Sequence, residues 1–257
     1  FEEKKAELIT KIKALMAKIF CPKRLMVSVT SDEEGKNLVL PEIEKLKGVL
    51  YPDSEIGTLC NIYPKQKNEG FLDASKVQYV SRAGNFVDKG FSYTGALKIL
   101  KVILSYDYLW INVRVKGGAY GCMSGFMRTG DMYFTSYRDP NLRKTNEIYE
   151  KTPEYLKNFT ADEREMTKYI IGTVSELDTP LNPYAKGMRS LSAYLMGLSY
   201  EAVQKEREEV LSATCEDIRA LSDLIAAALS ENHFCVIGNE DVVEKEKDMF
   251  MHIEDLY

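Results

Sequence analysis

The stretch Leu109–Gly121 (LWINVRVKGGAYG) constrains the fold more than any other part of this sequence. It joins a long amphipathic segment to a hairpin pattern, and at its centre Arg114 and Tyr120 bracket a Gly-Gly pair. Because the two residues are six positions apart, an extended backbone would direct both side chains to one face, whereas a helix would separate them. The glycines permit positive φ or the close approach of another backbone.

Arg114 and Tyr120 carry side-chain types that suit acyl chemistry. Arginine is a permanent cation with a forked set of donors, and tyrosine holds a hydroxyl donor on a stiff ring. Two such donors directed at one point can stabilise a carbonyl oxygen as it becomes an oxyanion. The alternative is purely structural: a glycine kink, a surface arginine and a packed tyrosine. The local pattern by itself favours this structural alternative, because glycines within strand patterns commonly mark bulges.

Three segments resemble one known family. Residues 106–121 (YDYLWINVRVKGGAYG), 90–97 (GFSYTGAL) and 136–142 (SYRDPNL) closely resemble the C-terminal region of the presequence proteases. These are long-chain zinc peptidases of the pitrilysin and insulin-degrading group, the inverzincins. The resemblance spans roughly residues 70–257, which is most of the chain.

The resemblance implies a role for the central stretch. It implies that Arg114 and Tyr120 are the pair from the C-terminal half that grips the substrate backbone and helps to stabilise the transition state. The substrate-binding set that it implies is Arg114, Gly117, Gly118 and Tyr120. The spacing argument agrees with this assignment but does not carry it.

The sequence lacks the zinc site that such a peptidase needs. A catalytic zinc requires three protein ligands and an open position, and the inverzincin signature is His-x-x-Glu-His with a further Glu downstream. This chain has two histidines, His233 and His252, and neither belongs to such a motif. The resemblance therefore places zinc, its ligands and the water-activating glutamate in an N-terminal half of the same polypeptide. We expect this chain to bind no metal and to be inactive alone.

Composition excludes several other classes of protein. The net charge of −5 and the pI of about 5.4 show no excess of basic residues of the kind that binds nucleic acid. No run approaches the about 18 apolar residues of a membrane span, and no signal peptide opens the chain. The five cysteines are scattered and odd in number, which favours reduced thiols in a cytoplasmic protein. Cys122 follows the central stretch but has no evident histidine partner, so we interpret it as a small strand residue rather than a nucleophile.

Periodicity predicts an α+β fold in which an antiparallel sheet packs against helices. A capping box at residues 160–163 opens one helix, and Asp139-Pro140 is interpreted as the cap and first position of another. Gly130 supplies the turn of a hairpin. The predicted strands are 77–81, 121–127, 132–137 and 234–238. The predicted helices are about 93–108, 139–158, 184–195, 200–210, 215–229 and 242–253, and the capping box at 160–163 opens a further one that is interrupted near 178–183.

The two ends of the chain share a pattern. Residues 1–50 are predicted as helix, strand (25–30), acidic turn and helix, and residues 215–253 repeat that order. Such self-similarity suggests duplicated domains that each close with this unit, although chance similarity of a common unit is the alternative. Residues 1–50 would then be the helix-strand-helix remnant of an upstream domain of the same type.

Domain boundaries follow from this interpretation. Residues 51–70 are turn-rich and polar, as expected of a linker, and residues 71–257 form the C-terminal inverzincin-like domain. Because the chain begins with Phe1 rather than Met, we expect it to begin inside a longer polypeptide.

The sequence thus predicts the C-terminal, non-zinc-binding portion of a zinc metalloendopeptidase that degrades unfolded peptides. Its partners would be the N-terminal half of the same polypeptide and the peptide enclosed between the two halves. The alternative is a non-catalytic domain of the same fold that binds peptides or a partner subunit, since fold alone does not decide function.

Overall fold

The computed structural model describes residues 4–53 and 68–256. The chain divides into two compact units, one made of Phe1–Tyr63 with Pro180–Ser199 and the other of Pro64–Thr179 with Tyr200–Tyr257. Positions 54–67 of the predicted linker lie outside the described residues. The division of the chain at 1–50, 51–70 and 71–257 therefore stays a prediction.

Helices and strands come in groups along the described chain rather than in alternation. The α-helices are α1 (Lys5–Ile19), α2 (Glu33–Val49), α3 (Ala96–Ile103), α4 (Arg143–Glu150), α5 (Thr152–Lys157), α6 (Glu163–Leu177), α7 (Pro183–Leu195), α8 (Tyr200–Leu211), α9 (Cys215–Leu229) and α10 (Glu240–Lys245). The strands are β1 (Asn68–Asp73), β2 (Tyr79–Asn85), β3 (Gly121–Phe126), β4 (Asp131–Tyr137), β5 (His233–Asn239) and β6 (His252–Asp255).

The first unit contains α1, α2 and α7. Asp32 caps α2 by accepting a hydrogen bond from the Gly35 N–H at 2.8 Å. The strand predicted at residues 25–30 is wrong: the segment pairs with no strand among the described residues. Alternation of apolar and polar residues predicts an extended backbone, but a strand also needs a neighbour for its peptide groups, and that neighbour is not a local property.

The second unit is built on a six-stranded sheet in the order β3-β4-β2-β5-β1-β6. Neighbours from β3 to β5 run antiparallel, whereas β1 runs parallel to both β5 and β6. The α+β prediction is confirmed, with a mixed sheet in place of a wholly antiparallel one. Strand β1 was not predicted, because its sequence NEGFLD is rich in residues that strands disfavour.

The C-terminal end departs from the predicted pattern. Helix α10 ends at Lys245, and the predicted helix over 242–253 gives way to β6, which pairs in parallel with β1. The predicted order of helix, strand, acidic turn and helix is present at the C-terminal end as α9, β5 and a shorter last helix, α10, whereas the N-terminal end lacks the strand. Pairing with β1 decides the conformation of residues 252–255, and local periodicity carries no signal for it.

Elements with strong local signals match the prediction. Helix α9 spans the predicted residues 215–229, and Thr214 opens it with a capping box. The hairpin of β3 and β4 is confirmed, and Gly130 adopts a φ of +94° in its turn. The capping box of α6 lies two positions later than predicted, with Asp162 as its cap and Glu165 as its third helical residue.

Helices α3 and α9 supply much of the core of the second unit. Leu97, Leu100 and Ile103 of α3 are fully buried, as are Ile218 and Ile225 of α9. Their apolar residues recur at helical spacing, which places one stripe of each helix in the core.

Gly84 permits close packing of β2 against α9. A Cβ atom at this position would overlap the carbonyl oxygen of Ala228, which is a backbone atom and cannot rotate away. The distance between β2 and α9 is therefore set by the absence of a side chain at Gly84.

The segment 90–97 contains the close contact between α3 and α8. The Gly95 N–H donates to Glu209 Oε2 at 2.6 Å, and a Cβ on Gly95 would lie 2.6 Å from the carbonyl oxygen of Glu206. Glu206 is itself buried and pairs with Arg128 of the hairpin turn and, at 3.4 Å, with Lys98 of α3. This segment is accounted for by packing and by a buried ion network.

The Gly84→Ala variant tests the packing of α9 on β2. We expect it to lower the free energy of unfolding by about 1–3 kcal/mol, because overpacking forces the backbones apart. The matched control is Gly172→Ala in α6, where the new Cβ would make an ordinary 3.4 Å contact with Val102. There, replacement of a helical glycine should be neutral or stabilising by up to about 1 kcal/mol. Urea unfolding measures both, and equal effects of the two variants would contradict this account of Gly84.

Candidate functional site

The backbone that carries Arg114 is helical rather than extended. Helix α3 continues through two π-helical segments, Leu104–Tyr108 and Trp110–Val115, so the extended backbone considered for the Arg114–Tyr120 stretch is wrong. The run LWINVRV is rich in residues that suit either state, and short apolar runs do not distinguish a strand from a buried helix. The burial of Leu104, Leu109 and Val113 on one face decides for the helix.

The Gly-Gly pair ends this helical segment. Gly118 adopts a φ of +84°, and its N–H donates to the Arg114 carbonyl at 2.9 Å, as in a helix end closed by a left-handed glycine. A Cβ on Gly117 would overlap the carbonyl oxygen of Val113. Gly118 thus supplies the positive φ and Gly117 the close backbone approach.

This turn brings Arg114 back to Tyr120. The Arg114 Nε donates to the Tyr120 carbonyl oxygen at 3.0 Å. The guanidinium of Arg114 also lies over the ring of Trp110, 3.9 Å from its centroid, in a cation–π contact. These two interactions order the half-buried Arg114 side chain, and its two terminal Nη groups bond to none of the residues that the structure describes.

Tyr120 is fixed at its backbone and open at its ring. Its N–H is shared between the carbonyl oxygens of Tyr137, at 3.1 Å, and Arg138, at 3.3 Å. Its ring meets the ring of Tyr137 edge to face, with centroids 5.8 Å apart. The side chain is otherwise open, because Tyr120 is 69% exposed and its hydroxyl has no hydrogen-bond partner within the described ranges.

The neighbouring aromatic residues divide between packing and exposure. Tyr108 packs inward, since its ring stacks on Tyr155 with centroids 4.4 Å apart and its hydroxyl donates to the Ile148 carbonyl at 2.8 Å. Tyr106 is 71% exposed. Trp110 is partly exposed and supports the guanidinium of Arg114.

Asp139 and Asn141 were not identified from the sequence as parts of this site. The interpretation of Asp139-Pro140 as a helix start is wrong, because α4 begins at Arg143 and Asp139 is fully buried before it. The Asp139 carboxylate instead accepts the Asn141 N–H at 2.9 Å in a local turn. The spacing Asp-x-Asn is compatible with such a turn and was the available signal.

Cys122 has no property of a nucleophile. Its thiol is half-buried, and burial raises its pKa to about 11, although the nearby positive charge of Arg114 acts to lower the pKa. A thiol with that pKa is protonated at neutral pH, and the thiolate is the reactive form. This supports the interpretation of Cys122 as a small strand residue.

The described residues do not fit a zinc site. Nowhere in the described ranges do three or more His, Cys, Asp or Glu side chains lie together in a way that could hold a metal ion. His252 lies 3.1 Å from Glu254 and His233 lies 3.4 Å from Glu231, in separate pairs. None of the helices in the described ranges is both long and apolar enough to cross a membrane.

Comparison with curated proteins gives long matches. The chain is 41% identical over 253 residues to Protein HypA from Clostridium perfringens, a match that covers 98% of this chain and 26% of the relative. It is 30% identical over 248 residues to presequence protease 1, chloroplastic/mitochondrial, from Arabidopsis thaliana, covering 94% of this chain and 22% of that protein. The chain thus spans about a quarter of the length of these relatives.

Comparison with solved structures identifies the same type of fold. A peptidase M16 inactive domain from Pseudomonas fluorescens superposes with a TM-score of 0.59 at 16% identity, covering 90% of this chain and 57% of that one. Pitrilysin superposes with a TM-score of 0.54 at 11% identity, covering 80% of this chain and 23% of that one. At these identities the likeness concerns the fold alone.

A family model for the PreP C-terminal domain matches residues 68–239, which is most of the second unit. The matched range contains Arg114, the Gly-Gly turn, Tyr120 and the segment that carries Asp139 and Asn141. The chain belongs to the PreP C-terminal domain family, as a C-terminal presequence-protease-like domain.

Proposed function

We propose that this chain is the non-zinc-binding C-terminal portion of a zinc metalloendopeptidase that degrades unfolded peptides. Arg114 and Tyr120 supply the donors that bind the substrate backbone and stabilise the oxyanion of the transition state. The observation that carries the proposal is the state of these two side chains. Arg114 is held through its Nε and by the Trp110 ring, Tyr120 is held through its backbone N–H, and the Nη groups and the phenol hydroxyl bond to no described residue.

Fixed and unpaired donors suit catalysis for a physical reason. A donor that must first break a hydrogen bond, or that must become ordered on binding, loses part of the energy that it gives to the transition state. The cation–π contact and the Nε hydrogen bond order Arg114 without using its terminal Nη groups. Gly117 and Gly118 belong to the substrate-binding set, because they hold the turn and offer a surface free of side chains.

We assign the zinc and its ligands to the N-terminal half of the same polypeptide. The relatives are about four times as long as this chain, which leaves room for such a half. The two halves would enclose an unfolded peptide, and residues 1–50 would belong to the domain that precedes this one. Four described cysteines are free thiols, which favours a reducing compartment such as the cytoplasm.

Substitution of the two donors in the intact polypeptide tests the proposal. Arg114→Ala and Tyr120→Phe should each lower kcat by about 10²–10³-fold, the usual effect of losing one oxyanion donor, with little change in the unfolding midpoint. The readout is steady-state cleavage of an unfolded peptide. Arg164→Ala and Tyr106→Phe are matched controls, because Arg164 is exposed and Tyr106 is 71% exposed against 69% for Tyr120. Wild-type turnover in both site variants would refute the role and favour a non-catalytic binding domain.

The isolated chain tests where the metal chemistry is located. We expect the purified chain to hydrolyse no peptide with or without added zinc, because its described residues do not form a zinc site. The intact polypeptide, assayed at the same concentration and with the same peptide, is the positive control. Zinc-dependent cleavage by a pure sample of this chain would contradict the assignment of the metal to the other half.

A further inference from the structure

The last residue of β4 and the segment after it hold both ends of the Gly-Gly turn. We name residues 137–141 the positioning loop. At one end of the turn, the Asn141 side-chain amide donates to the Gly117 carbonyl oxygen at 2.6 Å. At the other end, the Tyr120 N–H donates to the first two carbonyl groups of the loop, at 3.1 and 3.3 Å. One short loop therefore determines the positions of the residues on both sides of Gly118.

A buried carboxylate holds the positioning loop itself. Asp139 is fully buried, and its side chain accepts the Asn141 N–H at 2.9 Å and the Thr145 hydroxyl at 2.7 Å. Its backbone exchanges two hydrogen bonds of 2.8 Å with Gln78, which is also buried and directly precedes β2. These bonds tie the loop to α4 and to the sheet, so Asn141 is presented from a rigid support.

The loop also contains a strained residue. Arg138 has a φ of +48°, in the left-handed region that favours glycine. Such a conformation persists only where the surrounding bonds determine it. Here the neighbouring bonds are those of Asp139 with Gln78, and the result is that the Arg138 carbonyl faces the Tyr120 N–H.

We propose that Asn141 is a positioning residue for Arg114 and Tyr120, with Asp139 as its support. The inference rests on the proposed function of that pair. The Asn141 amide fixes the carbonyl group of Gly117, and this fixes the end of the helical segment that carries Arg114. Without that bond both donors remain present, but the turn no longer holds them at one separation. Catalysis is sensitive to displacements of about 1 Å, so removal of this hydrogen bond lowers kcat.

Asn141→Ala in the intact polypeptide tests the proposal. We expect kcat for an unfolded peptide to fall at least tenfold while KM changes less than threefold, because the bond orders groups that act in the transition state. Asn158→Ala is the matched control, since its amide makes the same type of bond, to the Glu154 carbonyl at 2.9 Å, elsewhere in the second unit. We expect wild-type kcat for that control. Thermal unfolding is measured for every variant, and Asn141→Ser replaces Asn141→Ala if the alanine variant does not fold.

A mutant cycle separates positioning from general stability. In an Arg114→Ala, Tyr120→Phe background, we expect Asn141→Ala to cause no further loss of kcat, because the groups through which it acts are gone. A further loss of the same factor, or wild-type kcat for Asn141→Ala alone, would overturn the positioning role. Wild-type kcat in the Arg114→Ala, Tyr120→Phe background itself would instead overturn the proposed function, so the two failures are distinguishable.

Discussion

The end of a helix at Gly118 is the constraint on which the geometry of the site depends. A φ of +84° closes the helical segment and turns the chain back, so that the Tyr120 carbonyl reaches the Arg114 side chain. The same termination places Arg114 in the last turn of the helical segment, where the helix dipole carries its partial negative charge. A cation there is stabilised by about 0.3–1 kcal/mol, which favours an ordered guanidinium.

The unpaired donors of this site are exposed to water, so they cost little free energy in the absence of a ligand. A buried donor without a partner costs about 1–3 kcal/mol, whereas an exposed one keeps its hydrogen bonds to water. Tyr120 is mostly exposed, so its hydroxyl carries no such penalty. A desolvation cost applies instead to the buried Asp139 carboxylate. Hydrogen bonds from neutral donors, the Asn141 N–H in its own turn and the Thr145 hydroxyl, offset that cost.

The parts of the fold that were predictable are those with local signals. Helix α9 was predicted over its full length, because its apolar stripe recurs at helical spacing within its own fifteen residues. The β3–β4 hairpin was predictable because Gly130 carries its turn. Strands β1 and β6 were missed, since their parallel pairing depends on residues far away in sequence. Residues 25–30 show the converse case, an alternating pattern without a paired strand among the described residues.

The candidate site divides in the same way. The residues Arg114, Gly117, Gly118 and Tyr120 were recognised from the resemblance, and the turn chemistry of the two glycines follows from their lack of a Cβ. The helical state of residues 109–115, beyond the predicted helix 93–108, was not predictable, because an apolar run of this composition suits a strand equally well. Asn141 was missed because its contact with Gly117 joins positions 24 residues apart.

The three segments that resemble the presequence proteases have separate physical explanations in this structure. Residues 106–121 contain the helix end and both donors, and residues 136–142 contain the loop that fixes the turn between them. Residues 90–97 lie apart from this site, where Gly95 allows α3 to approach α8 beside the buried Glu206. The first two segments form one structural unit, because the turn and the loop hold each other through bonds at both ends. A change in one of them therefore alters the geometry of the other, whereas a change at Gly95 acts on the stability of the helical layer.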